Sequence, residues 1–381
     1  MKISTRQIII FYFIYSFAIK FLMLPHFLST DAGRDGWITA LLGSLLELLI
    51  LFAVTRVLQK DTDIYQTLRK KTSTVGAKAI LSVLLLFFIL QILITLKQTS
   101  NLLETTLYED LNPLSFAIPI LILGVAFCYA PTRSIFRSGE LFYILIIIAL
   151  GLSILPAINK IDMAEVLPIL NNGTNPLFSG IYKNLIYFES AAILLMFKGD
   201  IKIDKNFSKR FMFWAGIGAI VFVAFVFLYY TMFGPLTIAR PLSIVNITQQ
   251  SSYITQNGRL EWIIVCVWLI LLLIRFGVTF FACFVALRHI TQTKLQPAAI
   301  AFPLAILIYI IHAFVIVSLV DLHNFINALL PFILAFYIFV AVLSLTLILF
   351  CKDKKIQTTQ QSQTKNNANN NPAPKKKVQN V

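Results

Sequence analysis

Four ionisable side chains stand deep inside apolar runs: Lys20, Glu47, Glu189 and Arg275. A charge at mid-membrane costs from about 3 kcal/mol upward, so each needs a partner, a wet cavity or a ligand. Lys20 lies 12 residues into its run and Glu189 lies 13 into its own. At helical rise these are depths of about 18 and 20 Å from opposite faces. Matching depth pairs Lys20 with Glu189, with Glu47 as the alternative acid, and the same groups would equally serve a ligand or a coupled ion. Gln91, Thr95 and Gln98 are spaced four and three apart and share one helical face. Such a stripe lines a cavity or ties helices together. His312 reads as a hydrogen-bonded core histidine and Asp321 as a solvated end residue. Ala215, Gly216, Gly218 and Ala219 read as close helix packing.

Catalytic patterns are missing from the sequence: there is no G-x-S-x-G, no HExxH, no phosphate-binding loop and no glycine-rich dinucleotide turn. Cys128, Cys266, Cys283 and Cys351 are far apart and show no CxxC spacing. The four histidines are scattered. The expectation is a protein that is not an enzyme and carries neither cofactor nor metal.

The segments that carry these groups follow from composition. Of 381 residues, 58% are hydrophobic and 13% charged, against about a quarter charged in soluble domains, so the chain is an integral membrane protein. Apolar runs predict ten spans near 8–28, 37–57, 79–101, 115–130, 140–157, 176–198, 211–233, 262–287, 298–320 and 328–350. The runs are continuous rather than alternating, which selects helices over a barrel and makes the fold all-α. Lys2 and Arg6 precede the first run as in a signal peptide, yet no small-residue cleavage site follows and Lys20 interrupts it, so it reads as an uncleaved span. Of the 32 lysines and arginines, 24 fall in one set of alternate loops and termini and four in the other. Both termini are therefore expected in the cytoplasm. Residues 1–350 form the transmembrane domain, and residues 351–381 form a basic, Asn/Gln-rich tail expected to be disordered. Its lysines, ending in Lys375-Lys376-Lys377, read as attraction to anionic membrane lipid rather than to nucleic acid. The Asn-x-Ser/Thr triplets at Asn172, Asn206 and Asn246 read as chance matches.

The stretch Ala32-Gly33-Arg34-Asp35-Gly36-Trp37-Ile38, after Leu24-Pro25, is the most specific motif of the chain. Leu167-Pro168-Ile169 with Gly173, Phe188-Glu189, Phe233-Gly234 and Arg259-Leu260-Glu261 with Trp268 accompany it. Together they resemble the spore germinant receptor B-subunit family, within the amino acid, polyamine and organocation transporter superfamily. The resemblance spans nearly all of residues 1–350. It implies ten helices in two inverted five-helix repeats of the LeuT-like kind, with helices 1 and 6 broken at the centre around a small-molecule site. It places the first break at Ser16-Phe17-Ala18-Ile19-Lys20. It also implies a nutrient of amino-acid type as ligand, with an A subunit and a lipoprotein C subunit as partners, in the cell membrane or the spore inner membrane. The ligand site is expected from Ser16, Ala18 and Lys20 on the first span, Gln91 and Thr95 on the third, Tyr187, Phe188, Glu189 and Ser190 on the sixth, and Thr279 on the eighth. A proton-coupled amino-acid transporter is the alternative function, since the same fold serves both.

Overall fold

The computed structural model describes residues 3–348, apart from 59–62, 108–111, 172, 203, 205, 252–259, 293–294 and 317. The tail at 351–381, Asn172 and Arg259 lie outside the described residues. Among those described, the chain is helical, and its one extended pairing is a bridge between Ile3 and Ile201. Helices α1 (Thr5–Lys20), α2 (Leu24–Ala32), α3 (Gly36–Leu58), α4 (Ile64–Lys71) and α5 (Thr74–Thr106) come first. They are followed by α6 (Pro113–Phe127), α7 (Thr132–Ala157), α8 (Asn175–Asn184), α9 (Ala192–Met196) and α10 (Phe207–Phe233). Last come α11 (Ser243–Ser251), α12 (Leu260–Thr291), α13 (Pro297–Val315) and α14 (Leu319–Ala328), then α15 (Leu330–Ile348).

Among the described residues seven helices are long and apolar enough to cross a membrane, the shorter α6 is largely apolar, and the expected first and sixth spans are each built from two pieces. Burial sorts the long helices. In α12 and α5, 72% and 61% of the apolar window is enclosed, against 22% in α7 and 28% in α13. The first two are therefore the centre of the bundle and the last two its lipid-facing wall. Leu49, Leu141, Ile144, Ile220 and Phe314 are large, apolar and exposed on that outer surface, as a hydrocarbon solvent requires.

Local chemistry sets the helix ends. Ser4 and Gln7 form a reciprocal capping box that starts α1, and Ser318 with Asp321 does the same for α14. Asp321 is thus a capping residue. Ser73 accepts from the Gly76 N–H at the start of α5, and Pro113 and Pro297 occupy first-turn positions where a missing N–H is harmless. Gly234, with φ of 48°, turns the chain at the end of α10.

The first break differs from expectation. Helix α1 runs unbroken through Ser16, Ala18 and Lys20, and the interruption falls at Phe21–Met23. Pro25 explains the shift: its ring clashes with the carbonyl four residues earlier, that of Phe21, and no glycine or proline lies nearer. The second break follows the Leu185–Phe188 turn, at Glu189–Ala191. Helices α4, α11 and α14 lie in stretches that the apolar runs left as connections.

Each broken segment must have its backbone groups satisfied where no water reaches them. The Leu22 carbonyl accepts from the Ser243 N–H at 2.7 Å. The Pro25 carbonyl accepts from the Tyr230 hydroxyl at 3.0 Å. In the second break the Ile186 carbonyl accepts from the Gln91 amide at 3.0 Å and the Phe188 carbonyl from the Tyr337 hydroxyl at 2.9 Å. Helices α5, α10, α11 and α15 thereby satisfy carbonyls at or beside the two interruptions.

The sequence motifs beyond the centre converge at the end of the bundle where α2 finishes. Arg34 donates to the Leu167 carbonyl at 2.7 Å, and the Asp35 carboxylate accepts from the Leu170 N–H at 3.0 Å. Beside them Asp31 accepts from Lys183 at 3.0 Å and from Asn184 at 2.8 Å. The two broken helices are thus tied together at this end.

Candidate functional site

The site is built where the two breaks face α3, α5 and α12. The Lys20 ammonium, at the last position of α1, donates to Glu47 of α3 and forms a buried ion pair with it. Both side chains are only 4% exposed. Glu47 also accepts from the Tyr12 hydroxyl, two turns into α1, at 3.2 Å. Of the two acids that depth allowed, Glu47 takes the ammonium. Glu189 takes another role: one carboxylate oxygen accepts from the Ala192 N–H at 2.8 Å, capping α9, while the other is buried and has no hydrogen-bond partner among the described residues. The Lys20 ammonium also lies over the Phe188 and Phe222 rings, 5.5 and 5.6 Å from their centroids. Such contacts soften the cost of a desolvated cation.

Arg275 is the second cation of the site, and among the described residues it is held without a carboxylate in hydrogen-bond contact. Its guanidinium donates to the Tyr15 carbonyl, to the Gln91 side-chain oxygen at 2.7 Å and to the Thr95 hydroxyl at 3.3 Å. It also stacks 4.0 Å above the Tyr15 ring. One planar fork thus joins α1, α5 and α12, a geometry that lysine cannot reproduce. Gln91 is bridged both ways, accepting from Arg275 and donating to the backbone just before Tyr187. Thr279, one turn along α12, donates to the Arg275 carbonyl at 2.8 Å and lies 3.5 Å from the Tyr15 hydroxyl.

The ten residues expected to line the site are all buried, none more than 4% exposed: Ser16, Ala18, Lys20, Gln91, Thr95, Tyr187, Phe188, Glu189, Ser190 and Thr279. Contacts link Gln91, Thr95 and Thr279 through Arg275, and Lys20 with Phe188. Gln98, the third member of the stripe on α5, lies beside the Tyr187 hydroxyl. With Glu47 and Arg275 close by, two acids and two bases share this sealed interior.

Sequence reasoning left Tyr12, Tyr15, Tyr337 and Gly43 unassigned. A Cβ on Gly43 would stand 2.4 Å from the Phe188 ring, so α3 approaches the second break closely only because that position carries no side chain. A lone glycine amid an apolar run was the available signal. Nothing in the sequence marks Tyr337 as the donor to the Phe188 carbonyl. His312, on α13, is buried, as a core histidine should be, and its Nδ1 has no hydrogen-bond partner among the described residues.

The family described as spore germination protein matches residues 2–326. The chain belongs to that family. Among relatives of this spore germination chain, Spore germination protein YndE of Bacillus subtilis (strain 168) is 22% identical over 321 residues, covering 81% of this chain and 86% of that protein. Spore germination protein KB of the same organism is 20% identical over 226 residues, covering 58% of this chain and 60% of that protein. Among solved structures, the nucleobase-cation-symport-1 family transporter MHP1 in a closed conformation superposes with a TM-score of 0.59. That match is 11% identical and covers 86% of this chain and 75% of the transporter. At such low identity it shows the fold alone: the spore germination chain is an integral membrane protein with a LeuT-like transporter architecture. The broken helices seen above are the feature on which transporters of this architecture build their sites.

Proposed function

We propose that this chain is the membrane subunit of a spore nutrient-germinant receptor. In this reading its ten spans form two inverted five-helix repeats and both termini face the cytoplasm. It acts in the spore inner membrane with an A subunit and a lipoprotein C subunit, and it binds an amino acid or similar small nutrient between the two breaks. The observation that carries the reading is the second carboxylate oxygen of Glu189. It is buried at a helix break without a donor among the described residues, and such oxygens are costly unless a partner fills the place. The ammonium of a zwitterionic nutrient supplies that donor, and the aromatic side chains of Tyr187 and Phe188 supply walls. The Lys20–Glu47 pair and the Arg275 fork keep the frame in place. Ligand binding then selects one arrangement of the half-helices, which the partner subunits detect.

A second reading, a proton-coupled amino-acid transporter, is favoured by one observation. Lys20 is engaged by Glu47 and leaves Glu189 with no ion pair among the described residues, so Glu189 remains available as a coupling group.

Spores carrying Glu189→Gln test the receptor reading. The amide preserves size and one acceptor, so the protein is expected in the membrane at near wild-type amount. The nutrient response should fall at least tenfold in sensitivity, the value of about 1.4 kcal/mol of lost charge-assisted contact. An unchanged dose–response curve at normal protein level would remove Glu189 from the site.

A further inference from the structure

Away from the centre, a cavity of about 420 Å³ opens between α1, α7 and α10, near the ends where α1 and α10 begin. Arg6 and Arg210 stand at its mouth; Ile9 and Phe13 of α1, Tyr143 of α7 and Trp214 of α10 form its walls. Phe13 and Trp214 lie eight and seven residues into their helices, so the apolar wall runs about 12 Å inward from the basic mouth. Trp214 is 44% exposed and Phe213 beside it 65%, so the cleft opens sideways, toward the hydrocarbon.

The charges at the mouth are not all committed. Arg6 reaches the Glu140 carboxylate through Nε and Nη2, at 3.1 and 2.8 Å, and the other Glu140 oxygen accepts from Gln7 at 3.0 Å. Asp204, the nearby second acid, accepts from the Thr5 hydroxyl at 3.1 Å. Glu140 is therefore committed to Arg6 and Gln7, and Asp204 is in no ion pair with Arg210 among the described residues. The Arg210 guanidinium is exposed and belongs to none of the ion pairs among the described residues.

We infer that this cleft binds an anionic phospholipid of the surrounding membrane, its phosphate on Arg210 and the remaining N–H groups of Arg6, its first acyl carbons along Ile9, Phe13 and Trp214. Three features match that one class of molecule. The mouth is cationic, the wall is apolar and aromatic, and the opening faces lipid, the arrangement of basic pockets between helices that hold acidic head groups. A free phosphate would use the mouth and leave the wall empty. A zwitterionic lipid would use the wall but bring its own cation against Arg210. The occupied cleft presses on α1, the half-helix whose last residue is Lys20, so the lipid is placed to steady the segment that carries the central pair.

Native mass spectrometry of the purified full chain with added phosphatidylglycerol, phosphatidylcholine of the same chains, or inorganic phosphate tests the inference. Phosphatidylglycerol is expected to be retained roughly tenfold over phosphatidylcholine, the discrimination of one charge-assisted contact. Arg210→Gln, on an exposed side chain, should erase that preference. Arg69→Gln, on α4 and outside the cleft, should keep it. Trp214→Ala should lower retention of both lipids while leaving the preference. Equal loss in Arg69→Gln and Arg210→Gln would mean unspecific attraction, and full competition by inorganic phosphate would mean a site for a free anion; either overturns the lipid assignment.

Discussion

Lys20→Met should destabilise the protein by about 3–5 kcal/mol, because it strands the Glu47 carboxylate in an interior that the pair alone makes tolerable. Glu47→Leu should cost a similar amount for the converse reason, leaving the ammonium buried with only ring faces beside it. The double variant Lys20→Met with Glu47→Leu removes both charges and should recover most of the loss, since apolar residues of similar volume replace a buried pair at little cost. Thermal unfolding midpoints in detergent, assembled into a double-mutant cycle, report the coupling. Strictly additive losses would show that the two groups do not depend on each other. Combining Lys20→Met with Glu189→Gln supplies the contrast: no recovery is expected, because Glu189 rests on the Ala192 N–H rather than on the ammonium.

Arg275→Leu should be of comparable severity, about 3–5 kcal/mol. It leaves the Gln91 side-chain oxygen buried without its donor, at about 1–3 kcal/mol, strips the second hydrogen bond from the Tyr15 carbonyl, and removes the stack on Tyr15. Arg275→Lys should restore little. An ammonium is a single point of attachment, whereas the contacts to α1 and α5 diverge from one planar fork. The yield of monodisperse protein after purification, together with its unfolding midpoint, measures both variants. A lysine variant as stable as the wild type would show that charge alone, and not the fork, holds these helices together.

That these charges are enclosed was legible in the sequence, whereas direction was not. Counting residues at 1.5 Å each put Lys20, Glu47, Glu189 and Arg275 at the middle of the membrane, and the structure buries all four. The same count says nothing about which way a helix face is turned. The partner of Lys20 therefore stayed open between two acids until the fold, with α3 packed on α10, brought Glu47 within reach of the Lys20 side chain. Arg275 was legible as a buried charge but not as a clamp, because two of its three acceptors were already named as a polar stripe and the third is a main-chain carbonyl that no side-chain pattern announces. The first break shows a local rule outperforming a resemblance: Pro25 forbids helix at Phe21, and the interruption sits there rather than at Ser16–Lys20. Tyr337 illustrates the reverse limit. Its role exists only because the Phe188 carbonyl is freed by a break far away in sequence, so the donor and its need become visible only together. Helices α4, α11 and α14 escaped notice because each is short and half polar, and short amphipathic segments give little periodic signal.

The receptor account makes ligand binding, not ligand movement, the task of the central site. Uptake by the purified full chain in liposomes, assayed with radiolabelled amino acids and an imposed pH gradient, addresses this directly. The account predicts saturable binding that Glu189→Gln weakens, with no gradient-driven accumulation in the lumen; robust accumulation that collapses with the gradient and is lost in Glu189→Gln would contradict it and make the chain a proton-coupled transporter.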